Sequence, residues 1–130
     1  MKISENNRRK LGTVMEENIA KIKEASRLMV DNIFNFEGRT SRGNYWWAGV
    51  GLFGLAIIVG ILDSVSHFLG NIGILILFVL SLALTVRRYH DVGKPWYYMV
   101  WQALFPPFGL YFLIKKGDES TNKYGEPDNN

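Results

Sequence analysis

Residues 68–86 read FLGNIGILILFVLSLALTV, an apolar run without one formal charge. As a helix it is roughly 28 Å long at 1.5 Å per residue, close to the ~30 Å of a bilayer's hydrocarbon core. Outward from it lie two further apolar stretches, Tyr45–Leu62 before it and Trp96–Ile114 after it. Between Tyr45 and Val86 the single formal charge is Asp63. A soluble helical domain would interleave charges every few residues to build an outer face. Here the charged 21% of the chain is confined to an N-terminal arm, one short loop and a tail. The pattern predicts an all-α integral membrane protein. About three transmembrane helices are expected, the third broken at Pro106-Pro107, preceded by an N-terminal amphipathic helix. The organisation read from it is an arm over 1–33, a membrane-embedded helical domain over 34–127 and a tail end at 128–130.

The chain has no Cys, which excludes disulfides, thiolate nucleophiles and Cys-ligated metals. Its net charge of +3 is modest, and the basic residues flank the apolar stretches. That distribution speaks of topology and anionic lipid, and no nucleic-acid partner is expected. A cleaved signal peptide is not expected either, because the first long apolar run begins far from Met1.

In the arm, Leu11, Met15, Asn18, Ile22, Ala25 and Met29 fall on one stripe at alternating steps of four and three. Two uses fit: a helix lying on the bilayer or packed against the spans, or a seam for self-association. The run is too short for a firm coiled-coil reading, and the mixed charges opposite it are unlike a purely lipid-driven surface helix. A polar connector, Asn35–Asn44, then leads to Tyr45, Trp46 and Trp47, aromatic residues suited to the headgroup level. In the first stretch Ala56, Gly60 and Ser64 recur every four residues, a spacing that lets helix backbones approach closely in lipid. Asp63 and His67 stand one turn apart, but two ligands make no metal site. The second stretch reads as lipid-facing, with Ser81 and Thr85 turned inward. In the third, Pro106-Pro107 forces a kink or two half-helices.

Of 15 Lys and Arg, nine precede the first stretch, three lie between the second and third, and three follow the third. The positive-inside rule therefore puts the N-terminal arm and the Arg87–Lys94 loop in the cytoplasm and residues near 63–71 outside. Three crossings would leave Lys115 and Lys116 outside, against that rule. A third segment that folds back as a hairpin would relieve the conflict. Three spans are the expectation.

Three separated motifs carry a resemblance. Phe34-Asn35-Phe36-Glu37-Gly38-Arg39-Thr40-Ser41-Arg42-Gly43-Asn44-Tyr45-Trp46 is similar to the F-x-F-x-G-R-x-x-R-x-x-Y-W opening of a group of small bacterial inner-membrane proteins called domain of unknown function 805. Arg87-Arg88-Tyr89-His90-Asp91-Val92-Gly93-Lys94-Pro95-Trp96 resembles its R-R-x-H-D-x-G-x-x-W signature. Gly117…Asn122-Lys123-Tyr124-Gly125-Glu126-Pro127 resembles its closing G-x-x-x-x-N-x-Y-G-x-x-P. Order matches over roughly residues 34–127, and spacing does too except at the end, where one residue rather than two separates Gly125 from Pro127. Tyr89 stands where the family often has Leu, and Lys94-Pro95 where Ser-Gly is common. The resemblance implies a multi-pass protein of the bacterial inner membrane and brings no activity.

Arg39, Arg42, Arg87, Arg88, His90 and Asp91 form the candidate polar cluster. Antiparallel first and second spans would bring its arginines to one end. There they could touch anionic lipid headgroups, pair internally with Asp91 or Glu37, or hold a phosphate-bearing ligand. His90-Asp91 lacks an arrayed nucleophile and reads as a helix terminator rather than a catalytic pair. Tyr124 can dock on this cluster only if the tail lies on its side. No catalytic residue, cofactor or metal site is expected. The leading functional expectation is a non-enzymatic membrane module, a homo-oligomer or an accessory to another membrane protein. An oligomeric pore or transporter component follows, then a lipid-acting enzyme.

Overall fold

Five helices follow one another in a computed structural model that describes residues 4–128: α1 (Glu5–Asp31), α2 (Arg42–Val65), α3 (His67–Asp91), α4 (Tyr98–Leu104) and α5 (Pro106–Ile114). No strand occurs among the described residues. Residues 129 and 130 of the expected tail end lie outside them.

Ser4 starts α1 by accepting a hydrogen bond from the Asn7 amide at 3.3 Å, which satisfies one of the donors a helix leaves open at its N-terminus. Glu24 and Asp31 flank Arg27 one turn away on either side, and the Arg27 hydrogen bond holds the Glu24 carboxyl below its usual range. Only the last turns of α1 are packed. Ala25 and Met29 are buried with Ala48 of α2 and Leu80 and Leu84 of α3. Leu11, Met15, Val14 and Ile19 remain exposed. The stripe read from the sequence is therefore divided: its C-terminal end is used inside the chain, and its N-terminal half is unpartnered.

The turn at Ser66 reverses the chain, and α2 and α3 pack antiparallel. Val59 lies against Gly73 and Asp63 against Gly70, with Leu52 and Leu55 on the core nearer the other end. Ala56, Gly60 and Ser64, the small-residue face read from the sequence, are exposed within this chain. The glycines that permit the α2–α3 approach sit on α3, facing branched or acidic side chains of α2.

Both α2 and α3 are long and apolar enough to cross a membrane, and just 6% of the apolar window of α2 is buried within the chain. A core helix of a soluble protein would be buried over much of that window. An exposed apolar surface of this extent calls for a cover.

The third apolar stretch is not one helix. Its two pieces, 7 and 9 residues long, are about 10 Å and 14 Å in length, short of the ~30 Å a crossing needs. The break falls at Pro106-Pro107, as expected, and the two pieces fold back on each other as a hairpin. Pro106 and Pro107 open α5 rather than kink a continuous helix. Lacking amide hydrogens, they remove two of the donors that a helix start would otherwise leave unbonded. The amide of Phe105 donates to Trp101 O at 2.8 Å and that of Phe108 to Phe105 O at 3.1 Å, so the hairpin tip is largely satisfied. Gly109 lets the arms meet, since a Cβ there would overlap Gln102 Cγ. Tyr98, Phe108 and Phe112 then stack among themselves and on Tyr89 of α3, at ring separations of 5.1–6.2 Å.

Candidate functional site

All three sequence motifs converge at the end of the bundle where α2 begins and α3 stops. Arg88 and Asp91 lie one turn apart on α3. Arg88 Nη1 donates to Asp91 Oδ2 at 2.7 Å, and Arg39 Nε donates to Asp91 Oδ1 at 3.0 Å. One carboxylate thus holds two guanidinium groups, and all three side chains are at most 5% exposed. Buried charges of this kind persist only when paired and hydrogen-bonded, and this cluster meets that condition through the tail.

Residues 115–128 fold back over the cluster. Arg39 Nη1 donates to the carbonyls of Ser120 at 2.9 Å and Gly125 at 3.1 Å, and its Nη2 to Asp118 O at 2.6 Å. The Asp118 amide donates to Asp91 O at 2.8 Å. Asn122 forms a small turn: its Oδ1 accepts from the Tyr124 amide at 2.9 Å, and its backbone pairs with Gly125, whose φ is 116°. That turn aims Gly125 O at Arg39 and lays Tyr124 flat on His90, with ring centroids 3.9 Å apart and planes 4° from parallel. Asn122 Nδ2 donates to His90 O at 3.0 Å, covering an open carbonyl of the last turn of α3.

Arginines cap the other helix ends. Arg87 Nη1 donates to Asn32 O at 2.8 Å and Asn35 O at 2.7 Å, where α1 stops, and its Nε to Thr40 Oγ1 at 3.2 Å. The final carbonyls of α5 receive Trp46 Nε1 on Leu113 O at 3.2 Å, Arg42 on Ile114 O at 3.4 Å, and Arg88 on Lys115 O. Cations suit a helix C-terminus because they offset the negative end of its dipole. At the opposite pole of α2, Asp128 Oδ2 accepts from the Ser41 amide at 3.0 Å and Asn44 Nδ2 at 2.7 Å, a carboxylate at a helix N-terminus. Because α4 leaves the end of α3 and α5 finishes on Trp46 and Arg88, both ends of the hairpin meet at this knot.

The candidate cluster is thus brought together and turned inward. Arg39, Arg87 and Arg88 are 8%, 4% and 0% exposed, and their acceptors are protein oxygens. This corrects the reading of these three as headgroup contacts; Arg42 is the exposed member. His90 is buried, bonded through Nδ1 to Gly38 O at 3.0 Å. Asp63 and His67 pair at 3.1 Å on the surface, and no group of three or more metal-binding side chains occurs among the described residues. The sequence reading missed the roles of Thr40, Asn44, Trp46 and Gly117. Gly117 was visible as the first position of the third motif, but its partner Asp91 lies 26 positions earlier in the chain. Tyr124→Ala is expected to lower stability by about 0.5–1.5 kcal/mol through loss of the ring stack, read as a lower thermal midpoint in detergent. Tyr124→Phe should retain it.

A family model described as "Protein of unknown function (DUF805)" matches residues 33–126. It covers the three motifs apart from their final Pro127, as the resemblance had implied. No curated protein and no solved structure matches the chain.

Proposed function

The chain belongs to the DUF805 family, and on that premise we propose that it is a non-catalytic module of the bacterial inner membrane. In this reading α2 and α3 cross the bilayer, and α4–α5 enters and leaves from the cytoplasmic side. The arm α1, the knot and residues 115–128 are cytoplasmic. The charge count supports that orientation: all 15 Lys and Arg then lie on one side, and none lies between α2 and α3. The hairpin removes the conflict that Lys115 and Lys116 posed for three crossings.

The observation that carries the non-catalytic reading is the closure of the knot. The buried ionisable side chains of the motifs, Arg39, Arg87, Arg88, His90 and Asp91, are bonded to one another and to backbone, so their chemistry is structural. Besides the apolar flanks of α2 and α3, the chain presents outward an apolar stripe on α1 with Leu11, Val14, Met15 and Ile19. Such a module acts through contact, by self-association or as an accessory subunit of another membrane protein. Crosslinking in native membranes followed by mass analysis tests this. Adducts from α1 to a second copy or to one reproducible membrane protein are expected. A chain that crosslinks to no protein and purifies in mild detergent only as a monomer would refute the module reading.

A further inference from the structure

We propose that the groove between α3 and the α4–α5 hairpin holds one acyl chain of a membrane phospholipid, with its headgroup at the knot end. This rests on the membrane reading above and adds a ligand to it. Two adjoining cavities, of about 700 Å³ and 630 Å³, share Leu82, Met99 and Ala103 as walls, and we take them as one groove. Each is within the roughly 300–1,000 Å³ typical of small-molecule sites. Along α3 the groove runs from His90 to Ser81, roughly 14 Å at 1.5 Å per residue. That shape suits a single extended hydrocarbon chain.

The chemistry of the walls points the same way. Most of the lining is Leu, Val, Met, Ala, Pro and Trp. The polar side chains among them already have partners: Ser81 Oγ donates to Phe78 O at 2.9 Å, Gln102 Oε1 accepts from Tyr89 at 2.7 Å, and Thr85 is bonded to Tyr45. A bound water needs two to four polar partners, and the groove offers few. Phe36, Trp96 and His90 line the knot end of the groove. Tyr124 stacks on His90, and Lys123 Nζ lies 5.1 Å from the Tyr124 ring centroid, so this end of the chain carries a cation.

A partner helix fits less well. Helices associate in lipid through small residues that let backbones approach. Here the small wall residues Ser81, Thr85 and Ala103 are interleaved with the bulkier Leu82, Met99 and Val100, which hold a second backbone away. The hairpin is too short to follow α3 to its far end, so the groove runs out onto exposed Ile72, Leu75 and Ile76. In a bilayer that open end is continuous with acyl chains.

The test reconstitutes the full chain in phosphatidylethanolamine vesicles containing phosphatidylglycerol with a photoreactive diazirine on one acyl chain, and maps adducts by mass spectrometry. Adducts should concentrate on Leu82, Met99 and Ala103, above the level at Ile57 on the exposed face of α2. Ala103→Phe and Val100→Trp, each made alone at an exposed position, should abolish the groove adducts and leave those at Ile57 unchanged. Equal labelling of groove and Ile57, or groove adducts that survive both substitutions, would overturn the lipid site while leaving the membrane reading intact. Absence of adducts from α2 and α3 altogether would overturn both.

Discussion

Asp91→Ala is expected to destabilise the folded chain by about 3–5 kcal/mol, the usual cost of removing one partner from a buried ion pair. The reason lies in what remains. Arg39 and Arg88 have side chains 0% exposed, and without the carboxylate two positive charges would face each other in a site with little water. The knot would open, releasing the tail and uncovering the end of α5. Asp91→Asn should be milder, since it keeps an oxygen for one arginine but loses the charge. Denaturant titration of purified protein in mild detergent measures the loss, and trypsin cleavage after Arg39 and Arg88 reports the opening. Wild-type stability in Asp91→Ala would mean that the knot does not hold the fold.

Gly117→Val should approach that effect by a steric route. A Cβ at Gly117 would overlap Asp91 Oδ2, and the carboxylate cannot retreat because arginines bind both its oxygens. The strand of tail must move instead. Overpacking of this kind costs about 1–3 kcal/mol. Moving the tail also breaks Arg88 to Lys115 O and Arg39 to Asp118 O, and hydrogen bonds to charged groups contribute roughly 1.5–3 kcal/mol each. Gly125→Ala separates close approach from backbone strain. Gly125 has a φ of 116° but open space around it, so alanine there should cost about 1–3 kcal/mol through strain alone. The order expected in the same titration is wild type, Gly125→Ala, Gly117→Val. Gly117→Val as stable as wild type would contradict the contact with Asp91.

Much of this was legible in the residues. The apolar stretches of α2 and α3 declare themselves by length and by the near absence of charge, because in lipid a helix satisfies its own backbone. The three motifs showed which residues to watch, and Asp91 as a partner for an arginine was among the options their chemistry allowed. What they could not show was which option wins. Whether Arg39 meets lipid or Asp91 depends on the tail, and the tail's side depends on how the third stretch folds. Pro106-Pro107 signalled a break, but a kinked crossing and a hairpin have the same composition there. The hairpin is decided by Gly109 against Gln102 and by the aromatic packing of Tyr98, Phe108 and Phe112 on Tyr89. The face at Ala56, Gly60 and Ser64 has a related limit: a small-residue spacing marks where a helix can approach but not which helix, and within the chain the α2–α3 approach uses Gly70 and Gly73 of α3.

Because the chain has no Cys, single cysteines can report sidedness without interference. His67→Cys, exposed at the start of α3 beside the Ser66 turn, and Glu126→Cys, exposed in the tail, are challenged with a membrane-impermeant maleimide in intact cells. The thiol at position 67 should react at once and that at 126 only after permeabilisation, since the proposed topology puts the knot-bound tail across the bilayer from the turn. Immediate labelling of both would place the turn and the tail on one face, and the hairpin and its knot would have to be abandoned.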